Sequence, residues 1–321
     1  MSRDLRPILR SPDGRLRAGW RILVPTLTIM IGLVVVDLVL VAAVTGLPAQ
    51  LAAAGLGRFL LVLVVVTVTA RLLDRRRVRD YGFRNDRGWW LDLAVGALIG
   101  LAIFGLSTGT AAAAGWVRIT DTLAPAASGG LWLVLGMAIV RLAAVSLWEE
   151  LVFRGVMITN AAEGFLGRWS RTTSVVVAAS ISTVVFAAIH VPQHLVLGQS
   201  LGRIPLMWLS LGAMLAIAYV QTGQLALPLG LHLTINLALQ NVFVLDSEHA
   251  DSAAALLQLE VVGPASLAGL GGWLQLAATA VGHALLLGWI RWRHGVLRVH
   301  PSLTARAEPA TAEGCASPVR R

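Results

Sequence analysis

Ionisable and amide side chains interrupt the apolar runs of this sequence in three short motifs. The six residues are Glu149, Glu150 and Arg154 in W-E-E-L-V-F-R-G, His190 in F-A-A-I-H, and His232 and Asn236 in L-H-L-T-I-N. A charged group at the centre of a membrane helix costs about 2.5 to 3.5 kcal/mol on insertion scales. Each motif therefore needs a functional or a structural reason.

The residue types in these motifs are those that amide hydrolysis requires. Hydrolysis needs a base or a metal ion to activate water, hydrogen-bond donors for the tetrahedral oxyanion, and a proton for the leaving nitrogen. A glutamate can act as base and acid, histidine and asparagine can donate hydrogen bonds, and histidine can also bind metal. The sequence therefore predicts a hydrolytic site, provided that the three motifs meet in the fold.

The first motif also has a structural interpretation. Glu150 and Arg154 are four residues apart, so they share one helix face and can form an ion pair. Glu149 points about 100° away from Glu150 around the helix axis, and a second carboxylate is not needed to neutralise one arginine. Arg141 lies eight residues before Glu149 on roughly the same face and is an alternative partner for it.

The other polar residues have structural interpretations as well. His232 and Asn236 share a helix face and could bridge neighbouring helices by hydrogen bonds. His190 stands near the end of an apolar run, where a histidine is often interfacial or hydrogen-bonded. Asp37, which is isolated in the first apolar run, is interpreted as structural.

The composition places the chain in a membrane. Of its 321 residues, 56% are hydrophobic and 13% charged, and the mean hydropathy is +0.74, which excludes an ordinary water-soluble domain. All 26 basic residues are arginines and most lie between apolar runs, so the net charge of +9 indicates topology and not nucleic-acid binding. The single cysteine, Cys315, excludes an intramolecular disulfide and a cysteine-based zinc cluster.

Apolar runs of about 20 residues define the membrane spans. They predict an all-α, polytopic membrane helix bundle of about eight transmembrane helices with a four-helix catalytic core. The predicted spans are about 22–46, 51–71, 90–115, 131–158, 174–191, 204–221, 225–244 and 270–290.

The charges of the connecting segments give the predicted orientation. Residues 1–21 carry six arginines and residues 71–88 seven, whereas 245–269 carries none and contains Asp246, Glu248, Asp251 and Glu260. The positive-inside rule therefore predicts a multi-pass protein of the cell membrane with both termini in the cytoplasm. The predicted parts are a basic N-terminus (1–21), N-terminal transmembrane helices (22–130), the motif-bearing core (131–244), an outer loop with the last helix (245–292) and a disordered tail (293–321).

The order of the motifs resembles that of a known family. E-E-x-x-x-R, F-x-x-x-H and H-x-x-x-N follow one another as in the CAAX-protease and bacteriocin-processing family of intramembrane proteases, which includes the type II CAAX prenyl endopeptidases. The segment E-E-L-V-F-R-G is close to the family's E-E-x-x-F-R-G form. The resemblance implies proteolysis within the membrane of a membrane-bound peptide or protein, at a site reached from the cytoplasm. No nucleic-acid partner is expected.

The resemblance also implies a role for each motif residue. Glu149 would activate the attacking water with His190, Glu150 and Arg154 would hold the site in place, and His232 and Asn236 would stabilise the oxyanion. Glu149, His190 and His232 could also form a zinc site of two histidines and one carboxylate. The H-E-x-x-H signature of zincins is absent, so metal is permitted and not demanded.

Two other functions fit the same residues. One is a non-catalytic membrane binding or immunity scaffold of the same fold. The other is a transporter, whose polar groups would line a pathway across both leaflets, although no inverted repeat is evident.

The predicted helix boundaries present one difficulty for a shared site. If the fifth span starts at Ser174, His190 lies about 24 Å from its cytoplasmic end, and His232 only about 10 Å from the cytoplasmic end of its own span. The two imidazoles would meet only if the helices tilt, start at different depths, or if the fifth helix continues through Pro192.

Overall fold

The computed structural model of the protein describes residues 9–11, 14–44, 47–125, 130–196, 202–245 and 254–303. It is 77% helical, and seven of the described helices are long and apolar enough to cross a membrane. This confirms the predicted all-α polytopic bundle. Several features named above lie outside the described residues: most of the outer acidic loop with Asp246, Glu248 and Asp251, residues 1–8 and 12–13 of the N-terminus, and the tail from residue 304 with Cys315.

The helices follow the predicted spans with shifted ends. In chain order the elements are α1 (Ala18–Ala43), α2 (Leu47–Val68), α3 (Arg87–Ala113), β1 (Val117–Ala124), α4 (Leu131–Glu150), α5 (Thr159–Phe165), α6 (Arg171–Val196), α7 (Ile204–Thr222), α8 (Ala226–Leu237), β2 (Phe243–Leu245), β3 (Ala255–Val261), α9 (Ala265–Ala268) and α10 (Trp273–His294). Three π-helical segments continue α2, α4 and α8: Thr69–Asp74, Leu151–Ile158 and Ala238–Val242. Short 3-10 helices cover Val78–Tyr81 and Pro301–Leu303.

The predicted seventh span is shorter than the others. Its helix, α8, has 12 residues and is continued by 5 π-helical residues. Residue Leu225, just before α8, is fully buried and donates its backbone N–H to the carbonyl of Gly82 at 2.9 Å. The helix that carries His232 and Asn236 therefore starts inside the bundle.

A small β-sheet was not predicted. Its strand order is β1-β3-β2, with β1 antiparallel and β2 parallel to β3. The strands follow α3 and α8, at the face opposite the arginine-rich segments. The β-branched residues of V-R-I-T-D-T-L-A are typical of a strand, but the segment is not an apolar run of span length, which is the pattern that marks the helices.

Glycines allow α3 and α8 to pack with their backbones in close approach. A Cβ atom at Gly96 would collide with the carbonyl oxygen of Leu227, and one at Gly230 would collide with that of Leu93. Gly96 and Gly100 form a G-x-x-x-G pair on α3, the spacing that lets membrane helices approach closely. This contact fixes the position of α8 and therefore of His232.

We expect Gly230→Ala to destabilise the protein by about 1 to 3 kcal/mol because the new methyl group overpacks the α3–α8 contact. The matched control is Gly105→Ala in α3, where an added Cβ has no heavy atom within 4 Å. Thermal unfolding in detergent micelles measures both variants. Equal melting temperatures for the two would contradict the packing described.

Asp37 forms an ion pair within the membrane. Both carboxylate oxygens accept hydrogen bonds from Arg58 of α2, from Nε at 2.9 Å and from Nη2 at 2.6 Å. This two-bond geometry satisfies a planar guanidinium and a carboxylate together. It accounts for Asp37 without a role in chemistry.

A polar network connects the linker between α2 and α3 with α1 and α5. The carboxylate of Asp74 accepts hydrogen bonds from the Tyr81 hydroxyl and from Nδ2 of Asn160, the latter at 2.8 Å. Glu163 pairs with Arg21 at 3.0 Å. Burial, with the Asp74 carboxylate, raises the pKa of Tyr81 well above its usual value, so the phenol stays protonated and donates.

The beginning of the predicted disordered tail is packed against the bundle. After α10, the backbone N–H of His300 donates to the carbonyl of Val220 at 2.9 Å. The side chain of Leu303 is 3% exposed. Residues up to 303 are therefore part of the folded body.

Candidate active site

The carboxylate of Glu149 lies between two imidazoles. Nε2 of His190 and Nε2 of His232 are each 3.7 Å from Oε2 of Glu149. Glu149 and His232 are 6% and 3% exposed, and Oε2 of Glu149 has no hydrogen-bond partner among the described residues. A buried carboxylate oxygen without a partner is costly, so this atom is placed to interact with a further group.

Hydrogen bonds on the far side of each imidazole fix its orientation. Nδ1 of His232 is 2.7 Å from Oε1 of Glu150, and Nδ1 of His190 is 2.7 Å from the carbonyl oxygen of Phe186. Since these oxygens accept, each neutral imidazole carries its proton on Nδ1 and donates it. The lone pair of each Nε2 then faces Glu149, the arrangement used by histidines that bind metal or accept protons.

Glu150 and Arg154 form the ion pair that their spacing predicted. Nη1 of Arg154 is 3.1 Å from Oε1 of Glu150, and both side chains are completely buried. Nη2 of Arg154 also donates to the carbonyl of Gly212 in α7 at 3.2 Å. Glu150 is thus held by Arg154 and in turn holds His232, so it positions the site.

The helix changes its hydrogen-bonding pattern at this motif. Residues Leu151–Ile158, which include Arg154, form a π-helical segment directly after Glu150. Such segments are rare and frequent at functional sites. Periodicity in the sequence does not distinguish this segment from α-helix.

Two aromatic side chains complete the walls of the site. Trp208 of α7 stacks on His190, with ring centroids 4.1 Å apart and an interplanar angle of 23°, and its Nε1–H donates to Nε2 of His194 at 2.9 Å. The ring of Phe186 lies 4.5 Å from that of His190 and 5.8 Å from that of His232. Trp208 was missed from the sequence, although a tryptophan N–H inside an apolar span requires a partner.

Trp208→Phe removes the hydrogen bond to His194 and reduces the stacking surface on His190. In any cleavage reaction at this site we expect kcat to fall about 10-fold, with KM within about twofold, because loosening of a supporting residue typically costs 10- to 100-fold in activity. The matched control is Trp132→Phe in α4, where the side chain is 70% exposed. An unchanged kcat would show that Trp208 does not position His190.

His190 and His232 meet because α6 and α8 start at different depths in the bundle. His190 lies about 29 Å along α6 from Arg171, and His232 only about 9 Å along α8 from Ala226. Both nevertheless lie at 3.7 Å from the same oxygen. The helix α6 continues through Pro192 to Val196, and α8 starts within the bundle.

Among the described residues, neither Arg141 nor Asn236 is hydrogen-bonded to Glu149, His190 or His232. Nη2 of Arg141 donates to Oε1 of Gln240 at 2.7 Å, so the alternative in which Arg141 partners Glu149 is not seen. Asn236 is one turn after His232 on the same face of α8 and is 8% exposed. Among the described residues, no hydrogen bond joins it to the other five motif residues.

The side-chain types of Glu149, His190 and His232 fit zinc, but the three side chains are not close enough together to bind one ion. Two ligands of one tetrahedral zinc ion are about 3.4 Å apart for bonds of 2.0 to 2.1 Å, close to the 3.7 Å between each Nε2 and Oε2 of Glu149. However, no three His, Cys, Asp or Glu side chains in the described part of the chain are grouped as metal ligands. A bound ion would require these side chains to move closer together.

Fold and site together define a class: a polytopic helical membrane protein with a buried glutamate and histidine cluster inside the bundle. Residues 130–238 match the family model described as Type II CAAX prenyl endopeptidase Rce1-like. This match confirms the resemblance inferred from the motifs, and the matched segment contains all six motif residues. Searches of curated proteins and of solved structures gave no significant match.

Proposed function

We propose that the protein is an intramembrane endopeptidase of the cell membrane, with both termini in the cytoplasm, that hydrolyses a peptide bond in a membrane-associated protein or peptide. The observation that carries the proposal is the buried, unpartnered Oε2 of Glu149 at 3.7 Å from two imidazole nitrogens. The match of residues 130–238 to the Rce1-like family model supports the same reaction class.

Glu149 is the proposed general base. Its carboxylate takes one proton from the attacking water, while the second O–H of this water donates to the Nε2 lone pair of His190 and so orients the water. The protonated Glu149 then gives its proton to the leaving nitrogen. One residue therefore serves as base and acid in succession.

Asn236 is the proposed donor to the oxyanion. His232 donates from Nε2 only when both ring nitrogens are protonated, because its Nδ1–H is engaged by Glu150. An asparagine Nδ2 donates in every protonation state of the site. Removal of one such donor typically costs about 10²- to 10³-fold in kcat.

In a variant of this proposal, a zinc ion assists the hydrolysis. An ion held by Glu149, His190 and His232 would lower the pKa of the attacking water and polarise the scissile carbonyl. Metal analysis of the purified protein, with cleavage measured before and after chelation, separates the two mechanisms. About one zinc per chain and loss of cleavage on chelation would assign metal assistance, and metal-free activity would assign direct base catalysis.

The proposed function is tested by reconstitution into liposomes with a panel of fluorogenic peptides. Each peptide is prepared in a soluble form and in a form anchored by a lipid chain. Because the catalytic groups are buried among apolar helices, we expect cleavage of at least one anchored peptide and slower cleavage of its soluble form. Absence of cleavage of the whole panel by folded, reconstituted protein would favour the non-catalytic scaffold.

A further inference from the structure

The linker between α2 and α3 has an amphipathic sequence. In V-R-D-Y-G-F-R, residues 78–84, an apolar residue is twice followed by arginine: Val78 by Arg79, and Phe83 by Arg84. Val78 and Phe83 line an apolar cavity in the bundle, whereas Arg79 and Arg84 line a polar cavity at its arginine-rich end. Phe83 lines both, so the two cavities adjoin at this side chain.

The apolar cavity lies between α2, α4 and the linker. It has a volume of about 260 Å³ and a wholly apolar lining that includes Val62, Val66, Ala144 and Leu147. Leu63, which also lines it, is 43% exposed on the outer surface of the bundle. The cavity therefore adjoins the surface that faces the hydrocarbon of the bilayer.

This cavity is separate from the candidate active site. Its lining residue Trp148 points about 100° away from Glu149 around the helix axis, and Ala144 points about 140° away. The cavity and the catalytic cluster thus occupy different faces of α4. Binding at one does not require the other.

The polar cavity has a volume of about 690 Å³, and two arginines, Arg79 and Arg84, are part of its lining. Its carboxylates are already engaged by the backbone, since Asp80 accepts from the N–H of Arg77 at 2.9 Å and Asp86 from that of Trp89 at 2.8 Å. Arg79 pairs only loosely with Asp80, at 4.0 Å, with both side chains largely in solvent.

The charges that act on His300, which also lines this cavity, are positive. Burial, followed by the charges of Arg84, His294 and Arg298, lowers the pKa of His300. Since two of these three groups are arginines that remain charged at every physiological pH, they would attract an anion to the side of the cavity formed by His300.

We propose that the paired cavities bind an anionic glycerophospholipid of the surrounding bilayer. Its acyl chain would occupy the apolar cavity, and its phosphate would lie against Arg79 and Arg84. The bilayer supplies such molecules directly to the surface at Leu63, and the arginine-rich face is the one at which polybasic segments meet anionic headgroups. The bound lipid would brace the linker against α2 and α4.

The headgroup contact is tested by native mass spectrometry of the full chain in detergent, titrated with phosphatidylglycerol or phosphatidylcholine. We expect Arg79→Gln/Arg84→Gln to weaken phosphatidylglycerol binding about 25-fold, from about fivefold for each arginine near a membrane surface, and to weaken phosphatidylcholine binding much less, because its choline cation already balances the phosphate. The control Arg168→Gln/Arg171→Gln removes two exposed arginines, one between α5 and α6 and one at the first residue of α6. Both lie outside the two cavities, so this variant should bind like wild type.

The acyl-chain contact is tested by filling the apolar cavity. Ala144→Phe should weaken binding of both lipids at least 10-fold, whereas Ala102→Phe, on an exposed face of α3, should not. Should Ala144→Phe fail to give monodisperse protein, Leu147→Trp replaces it. Equal affinity of wild type for the two lipids, or phosphatidylglycerol binding that survives both the arginine and the cavity substitutions, would overturn the proposal.

Discussion

Glu149→Gln is expected to lower the rate of peptide cleavage by about 10²- to 10⁴-fold, the contribution of a general base. The amide of glutamine keeps the size of the side chain but cannot take a proton from water. The variant should remain folded, because Oε2 of Glu149 has no hydrogen-bond partner to lose among the described residues. Cleavage of the anchored peptide in liposomes measures this effect.

The matched control for this substitution is Glu260→Gln. Glu260 lies in β3, where its carboxylate pairs with Arg118 in solvent, and the same chemical change there should leave cleavage within about twofold, since exposed ion pairs contribute little. A non-catalytic scaffold predicts instead that Glu149→Gln keeps whatever phenotype the wild type has. Equal cleavage by Glu149→Gln and Glu260→Gln would therefore refute the role of Glu149 as base.

Glu150→Gln is expected to have the largest effect on stability. The guanidinium of Arg154 would remain completely buried without its counterion, and breaking a buried pair in this way costs about 3 to 5 kcal/mol. His232 would also lose the carboxylate that holds its Nδ1–H. The melting temperature and the rate of peptide cleavage, measured on the same preparation, should both decrease.

Replacing both members of the buried pair separates charge from packing. In Glu150→Leu/Arg154→Met no buried charge is left unpaired, so the variant should unfold at a higher temperature than Glu150→Gln. Its cleavage should still be impaired, since His232 is no longer oriented. Should Glu150→Gln melt like the surface variant Glu260→Gln, the ion pair would not have the structural role described.

The types of the site residues could be read from the sequence because lipid makes ionisable groups conspicuous. The predicted starts of two spans, at about 131 and about 204, agree with the starts of α4 at Leu131 and of α7 at Ile204, since apolar runs mark spans directly. What a residue contacts across the bundle depends on depth and tilt, which composition does not encode. Arg141 therefore had an unrecognised partner in Gln240.

Other features leave weaker sequence signals. The π-helical segment after Glu150 has the same residue types as α-helix. The strands of the sheet β1-β3-β2 are much shorter than a membrane span, so the lengths of the apolar runs do not mark them. The buried start of α8 depends on Gly96 and Gly230 allowing two backbones to approach. These glycines are visible in the sequence, but their contact is decided by tertiary packing.

The account rests on the convergence of α4, α6 and α8 at one carboxylate oxygen. The most direct measurement is a cryo-EM map of the protein in lipid nanodiscs, at a resolution that shows side chains, with distances taken from Oε2 of Glu149 to Nε2 of His190 and of His232. We predict that both are within about 4 Å, a little beyond hydrogen-bond length. An imidazole of His190 turned toward lipid, or separated from Glu149 by a further layer of side chains, would contradict the account.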